Sequence, residues 1–274
     1  MKTIKHLALA TVAAILMSAC GTTQTVPLTG RKHNLRVTDQ QVLSLSSQEY
    51  TKYMSTAKKS TNTANTAMVQ RVGKKLATAV ESYLRNNGFA SEVSNFSWEF
   101  SLVQDKNVNA FCMPGGKIVV YEGLLPYTKN ETGLAIVLGH EIAHAVAKHS
   151  AEQISKQMNQ QTGTQILGSV LNQAVGNGVG DIASSVAGQY FSFRNLKYSR
   201  DNEYEADYMG LVFAAMAGYD PQQAIPFWQR MSSAGGSQND FFSDHPSDSK
   251  RIAALQKHMP TALQYYKATG RAGF

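Results

Sequence analysis

Cysteine is nearly absent from this chain: Cys20 and Cys112 are the only two among 274 residues. With Cys20, the residue after a leader, expected to carry a thioether, Cys112 has no intramolecular partner and no disulfide framework can form even in an oxidising compartment. Charge is sparse too, at 16% of residues, and the formal net charge of +7 is spread along the chain rather than gathered in blocks. No basic run with interleaved aromatics occurs, so nucleic acid is not expected as a partner. Long hydrophobic runs are missing beyond the leader. The small-residue stretch 163–190 is broken by Asn172, Gln173, Asn177, Asp181 and the glycines Gly176, Gly178 and Gly180, which argues against a membrane span. No repeat of fixed period is visible. What remains is a chain that is 43% hydrophobic, enough to bury the core of one domain or two small ones.

The first nineteen residues read as an address. Lys2 and Lys5 form a positive start, and Leu7 to Met17 an apolar run of signal-peptide length. The segment Met17-Ser18-Ala19-Cys20 resembles the bacterial lipobox, with Met17 where leucine is usual. The implied product begins at a lipidated Cys20, whose acyl chains suffice for stable membrane attachment. The expected location is therefore a bacterial cell envelope. Gly21 after the lipid cysteine points to the outer membrane, facing the periplasm. Residues 20–60, rich in Thr, Ser, Gln and Lys, read as a lipid-anchored tether with a short helix near Asp39 to Met54. Residues 61–274 read as the folded domain.

Within that domain, apolar residues at Val69, Val72, Leu76, Val80 and Leu84 predict a helix with one buried face, stopped by Asn86-Asn87-Gly88. Alternation from Phe96 to Val103, a run reaching Cys112, a Met113-Pro114-Gly115-Gly116 turn and Lys117 to Tyr121 predict a small antiparallel sheet. Cys112 reads as a small buried hydrophobe rather than a nucleophile. Helical patterns then dominate: Glu131 to His149, Ala151 to Met158, Asp201 to Ala217, a helix opened by Asp220-Pro221, and Pro246 to Met259. The expected fold class is α+β, mostly helical.

His140-Glu141-Ile142-Ala143-His144 carries the chemistry. Positions i and i+4 share a helix face, so both imidazoles can reach one Zn²⁺. Glu141, beside the first histidine, is placed to take a proton from a water attacking a carbonyl. The flanks are apolar, and histidines on a buried helix need partners that a metal can supply. Catalytic zinc usually takes three protein ligands, so one is missing. Candidates lie in Ser199-Arg200-Asp201-Asn202-Glu203-Tyr204-Glu205-Ala206-Asp207. Glu203 and Asp207 share a face, one to bind metal and the other to accept a hydrogen bond from a ligand histidine. Glu205 reads as solvated. Spacing alone leaves Glu203, Asp201 and Glu205 open as the third ligand.

The HEIAH segment, SRDNEYEAD, Asp244-His245-Pro246-Ser247 with Arg251-Ile252, Asn109-Ala110-Phe111 and Pro114-Gly115-Gly116 together resemble the HtpX and CAAX-prenyl-protease type of zinc metallopeptidase family. Over roughly residues 65 to 260 the pattern is most similar to its bacterial LoiP/BepA-like lipoprotein branch. The resemblance implies a zincin-like (gluzincin) domain with one zinc ion held by His140, His144 and Glu203. It makes Asp207 the carboxylate that anchors a ligand histidine and Glu141 the base. It also implies endopeptidase activity on misfolded or misassembled envelope proteins, bound as extended strands along Lys117 to Tyr121. His245 matches a family histidine that approaches the zinc, as a regulatory group or fourth ligand; a surface residue before a helix-opening proline is the alternative. His149 reads as structural. The competing functions are a zinc-stabilised, chaperone-like lipoprotein that does not cut, and a latent protease gated by His245. Oligomeric state is not legible in the sequence.

Overall fold

The computed structural model describes residues 21–169, 192–233, 241, 245 and 249–270. The leader and Cys20 lie outside these residues, as do most of the small-residue stretch 163–190 and the residues flanking His245. Among the described residues no helix is long and apolar enough to cross a membrane.

The tether expected from Cys20 onward is instead folded. Strands β1 (Thr22–Thr25) and β2 (Lys32–Leu35) form an antiparallel hairpin with Thr25 opposite Lys32. Helix α1 (Asp39–Thr56) follows, closed at its start by a Thr38/Gln41 capping box. It packs its Val42 and Tyr50 inward, and Ser46 Oγ donates to Pro114 O at 2.7 Å. Helix α2 (Thr63–Asn86) buries Val69, Val72, Leu76, Val80 and Leu84, the face that its spacing predicts.

Strands β3 (Glu99–Val103), β4 (Ala110–Met113) and β5 (Lys117–Tyr121) form a sheet in the order β3-β5-β4. β5 turns back on β4 through Gly115 and Gly116, both at positive φ, and inserts between its predecessors. It therefore runs parallel to β3, and the sheet is mixed rather than wholly antiparallel. Side chains alternate across it. Phe100, Leu102, Ile118 and Val120 enter the main core, whereas Val103, Phe111, Val119 and Tyr121 meet the apolar face of α1. A sheet covered on both faces explains the nearly uninterrupted apolar run of β5.

Helix α3 (Glu131–Val146) starts at Asn130, whose side chain accepts from Gly133 N, and thirteen of its sixteen residues are buried. At its end Lys148 adopts φ 55°, and its ammonium is held by Asp39 and Glu92 at 2.8 and 2.7 Å. The chain turns there, and α4 (His149–Ser169) begins one residue later. Helix α5 (Arg200–Met216) opens on a Ser199/Asn202 capping box. It crosses α3 where two glycines meet: a Cβ on Gly139 would lie 2.7 Å from Gly210 O. Asp220 and Pro221 lead into α6 (Ala224–Ser233), and α7 (Ser249–Ala268) closes the described chain. The result is α+β and mostly helical, as the sequence implies.

Candidate metal centre

The close crossing of α3 over α5 sets the site. His140, Glu141 and His144 descend one buried face of α3, and Glu203 and Asp207 rise on α5 opposite them; each is 4% exposed or less. The i, i+4 spacing brings His140 Nε2 and His144 Nε2 to 3.1 Å. Glu203 Oε2 lies 3.4 Å from His140 Nε2 and Oε1 lies 3.5 Å from His144 Nε2. His245 enters from the far end of the chain. Its Nδ1 is 3.0 Å from Glu203 Oε1 and 3.2 Å from His140 Nε2, and its ring stacks on Phe241. It is a buried member of the cluster and not a surface residue. One ligand atom from each of His140, His144, Glu203 and His245 falls within 4.8 Å of the others, a set able to hold a metal ion.

These residues fit a zinc ion on chemical grounds. Three imidazole nitrogens and a carboxylate are the donors zinc prefers. Ring nitrogens facing one another have too few protons to satisfy the group, and Glu203 Oε2 is buried without a hydrogen bond among the described residues. A shared cation resolves both deficits.

Glu141 sits beside the cluster. One oxygen, Oε2, accepts from Cys112 N at 3.2 Å; the other, Oε1, lies 3.4 Å from His245 Nε2. Burial pushes its carboxyl above the usual range, and the nearby His245 and His140 only partly offset that. A raised carboxyl suits a group that must exchange a proton. Burial raises Glu203 likewise, but His245 and His140 outweigh it and hold the carboxyl well below the ordinary value. His140 is desolvated, which lowers its pKa, yet contacts to Asp207 and Glu203 raise it to about 9. For His144 burial wins and the pKa falls far below normal.

Asp207 Oδ1 is 3.0 Å from His140 Nδ1, and Arg251 grips both Asp207 oxygens at 2.6 and 2.7 Å. The same guanidinium lies 3.2 Å from Glu203 Oε2 and donates to His245 O at 3.3 Å. Three features escape a reading of the sequence. Tyr198 stacks on His144, with centroids 4.0 Å apart. His149 bridges His144 and Glu205 at 2.9 Å on each side. Glu205 is buried, not solvated, and its carboxyl is lowered to about 2: burial opposes the shift, while His149, Arg31 and Thr29 impose it. Cys112 is buried as expected, and burial raises its thiol well above the normal range.

Strand β5, expected to pair with an extended substrate, is bonded on both sides and has no free edge. The outer strand nearest the centre is β4, which carries Cys112 against Glu141.

Residues 63–259 match the model of peptidase family M48. The chain belongs to peptidase family M48. It is 39% identical over 176 residues to the mitochondrial metalloendopeptidase OMA1 of Schizosaccharomyces pombe, covering 63% of this chain and 50% of that protein. The OMA1 of Arabidopsis thaliana is 40% identical over 188 residues, 67% of this chain and 37% of that one. The beta-barrel assembly-enhancing protease of Yersinia pestis is 30% identical over 176 residues, 60% and 36% of the two chains. The chain thus spans about half or less of these relatives' length. The family is a metallopeptidase family, and zinc is its metal. The expected location is corrected: the relatives near 40% identity are mitochondrial, which points away from a bacterial outer membrane. That expectation rested on leader residues outside those described.

Proposed function

We propose that this chain is a zinc-dependent endopeptidase that hydrolyses peptide bonds of misfolded or misassembled proteins. One observation carries the reading: two histidines and Glu203 converge in a buried centre beside Glu141, whose Oε1 has no hydrogen-bond partner among the described residues. His140, His144 and Glu203 would hold the ion. A zinc ion held there would supply Lewis acidity toward a peptide carbonyl and a water. Glu141 Oε1 is the atom that takes the water's proton, with Oε2 fixed by Cys112 N so that the carboxylate keeps its aim. The raised carboxyl then returns that proton to the departing amine. Asp207, clamped by Arg251, keeps the His140 ring in register. Quality control, the role implied by the likeness to the LoiP/BepA-like branch, draws support from the beta-barrel assembly-enhancing relative.

A purely structural or chaperone-like centre has no need of a buried carboxylate that lacks a partner, which favours the enzyme. The full chain and its Glu141→Gln variant, incubated with unfolded casein with and without a chelator, test it. Fragments from the wild type alone, abolished by chelator, are expected; inert behaviour of both, with His245→Ala inert as well, sinks the hydrolase reading. His245 motivates a second state. Its ring occupies the centre between Glu203 and Glu141, where it competes with water and substrate. A latent wild type that cuts only as His245→Ala would support gating by this ring.

A further inference from the structure

A metal-binding imidazole must offer a lone pair at its coordinating nitrogen, so its other nitrogen carries a proton and needs an acceptor. With Nε2 of His140 turned to the centre, that acceptor is Asp207, directly beside Nδ1. His144 has no such carboxylate. Its Nδ1 meets another ring nitrogen, His149 Nδ1, at 2.9 Å. Two ring nitrogens can share only one proton between them. If His144 Nδ1 donates, His149 Nδ1 must be bare, and the proton of His149 must sit on Nε2. That atom lies 2.9 Å from Glu205 Oε2, an acceptor that cannot donate. The order of donors is thus set from the far end of the chain of contacts.

Glu205 in turn is fixed by the turn of the β1–β2 hairpin. Thr29 Oγ1 donates to its Oε1 at 2.6 Å, and Arg31 Nε donates to its Oε2 at 2.8 Å. Arg31 also bonds Glu152 through Nη2 at 2.8 Å. We propose that Arg31 and Glu205 are positioning residues for the metal centre, acting on His144 through the ring of His149. Each histidine of α3 is then oriented by a carboxylate that an arginine holds: Asp207 with Arg251 for His140, Glu205 with Arg31 for His144. The second pair differs by one interposed ring. The proposal rests on the reading of His144 as a zinc ligand.

Zinc affinity of the full chain, measured by competition with a chromophoric chelator, tests it together with the visible spectrum of the cobalt(II)-loaded form. Glu205→Ala and His149→Phe are expected to weaken zinc binding by about 10- to 100-fold and to shift the cobalt bands. Arg31→Ala moves both readouts the same way by less. Glu205→Gln, which keeps an acceptor facing His149, recovers most of the affinity. Lys156→Ala removes a pair with Glu152 in the same charged cluster but off the path to His144, and stays at the wild-type value. Thermal unfolding of the metal-free forms separates folding from orientation. If the buried variants do not fold, Arg31→Ala carries the test, because its side chain is 34% exposed. Folded Glu205→Ala and His149→Phe chains with wild-type affinity and spectrum overturn the inference, as does a Glu205→Gln as damaging as Glu205→Ala. A wild type that binds no zinc overturns the metal reading itself.

Discussion

Gly139 on α3 and Gly210 on α5 touch backbone to backbone, and a Cβ on Gly210 would fall 2.6 Å from His140 N. No side chain fits between them, and the crossing brings the histidines of one helix within reach of the carboxylates of the other. Gly210→Ala is therefore expected to force the helices apart. Overpacking of this kind costs about 1 to 3 kcal/mol. Calorimetry should show a lower melting temperature, and metal analysis less than one zinc per chain. A variant with unchanged melting and zinc content would show that the contact does not set the site.

Arg251 touches Asp207, Glu203 and the carbonyl of His245 at once. Its removal leaves two buried carboxylates without their counter-charge. Arg251→Gln should lower zinc affinity by about 10- to 100-fold. Arg251→Lys should not restore it, since a single ammonium cannot span both Asp207 oxygens and still reach Glu203. Equilibrium dialysis against zinc measures both.

Metal removal should destabilise the fold. A ligand that binds only the native state adds about 4 kcal/mol when its concentration is a thousand times its dissociation constant. Chelator should lower the melting temperature of the wild type and leave His140→Ala, already short of a ligand, nearly unmoved.

Acid stability should depend on Glu152. Burial raises its carboxyl, but His33, Arg31 and Lys156 outweigh that and hold it far below the usual carboxylate range. A depressed carboxyl lends stability that is present above the unfolded value and is lost as pH falls toward the folded one. Glu152→Gln should thus be weaker than wild type at neutral pH. The gap should begin to narrow as pH falls below about 4.5 and should still be narrowing at about pH 3 in urea titrations. A gap of constant size would refute the assignment.

The sequence reveals the parts of the site that lie on single helices. HEIAH shows its candidate ligands because i and i+4 share a face, and Glu203 and Asp207 pair for the same reason. Choosing Glu203 over its acidic neighbours needed the family resemblance, because spacing does not distinguish a ligand from an anchor. Glu205 was misread since its partners, Arg31 and His149, lie 174 and 56 residues away. No period encodes such distances. The four-residue strands of the hairpin are too short for alternation to register, and strand order in the sheet depends on tertiary insertion of β5 rather than on its pattern.

The parts of this centre are collected from nearly the whole length of the chain, from Arg31 through α3 and α5 to His245 and Arg251. Synthesis runs from the amino terminus, so HEIAH emerges long before Arg251 can neutralise Asp207 and Glu203. A half-made chain therefore holds the HEIAH side chains without the counter-charge that Arg251 supplies beside them. The centre is complete only when α7 has docked against α5, so its assembly marks closure of the described domain as a whole.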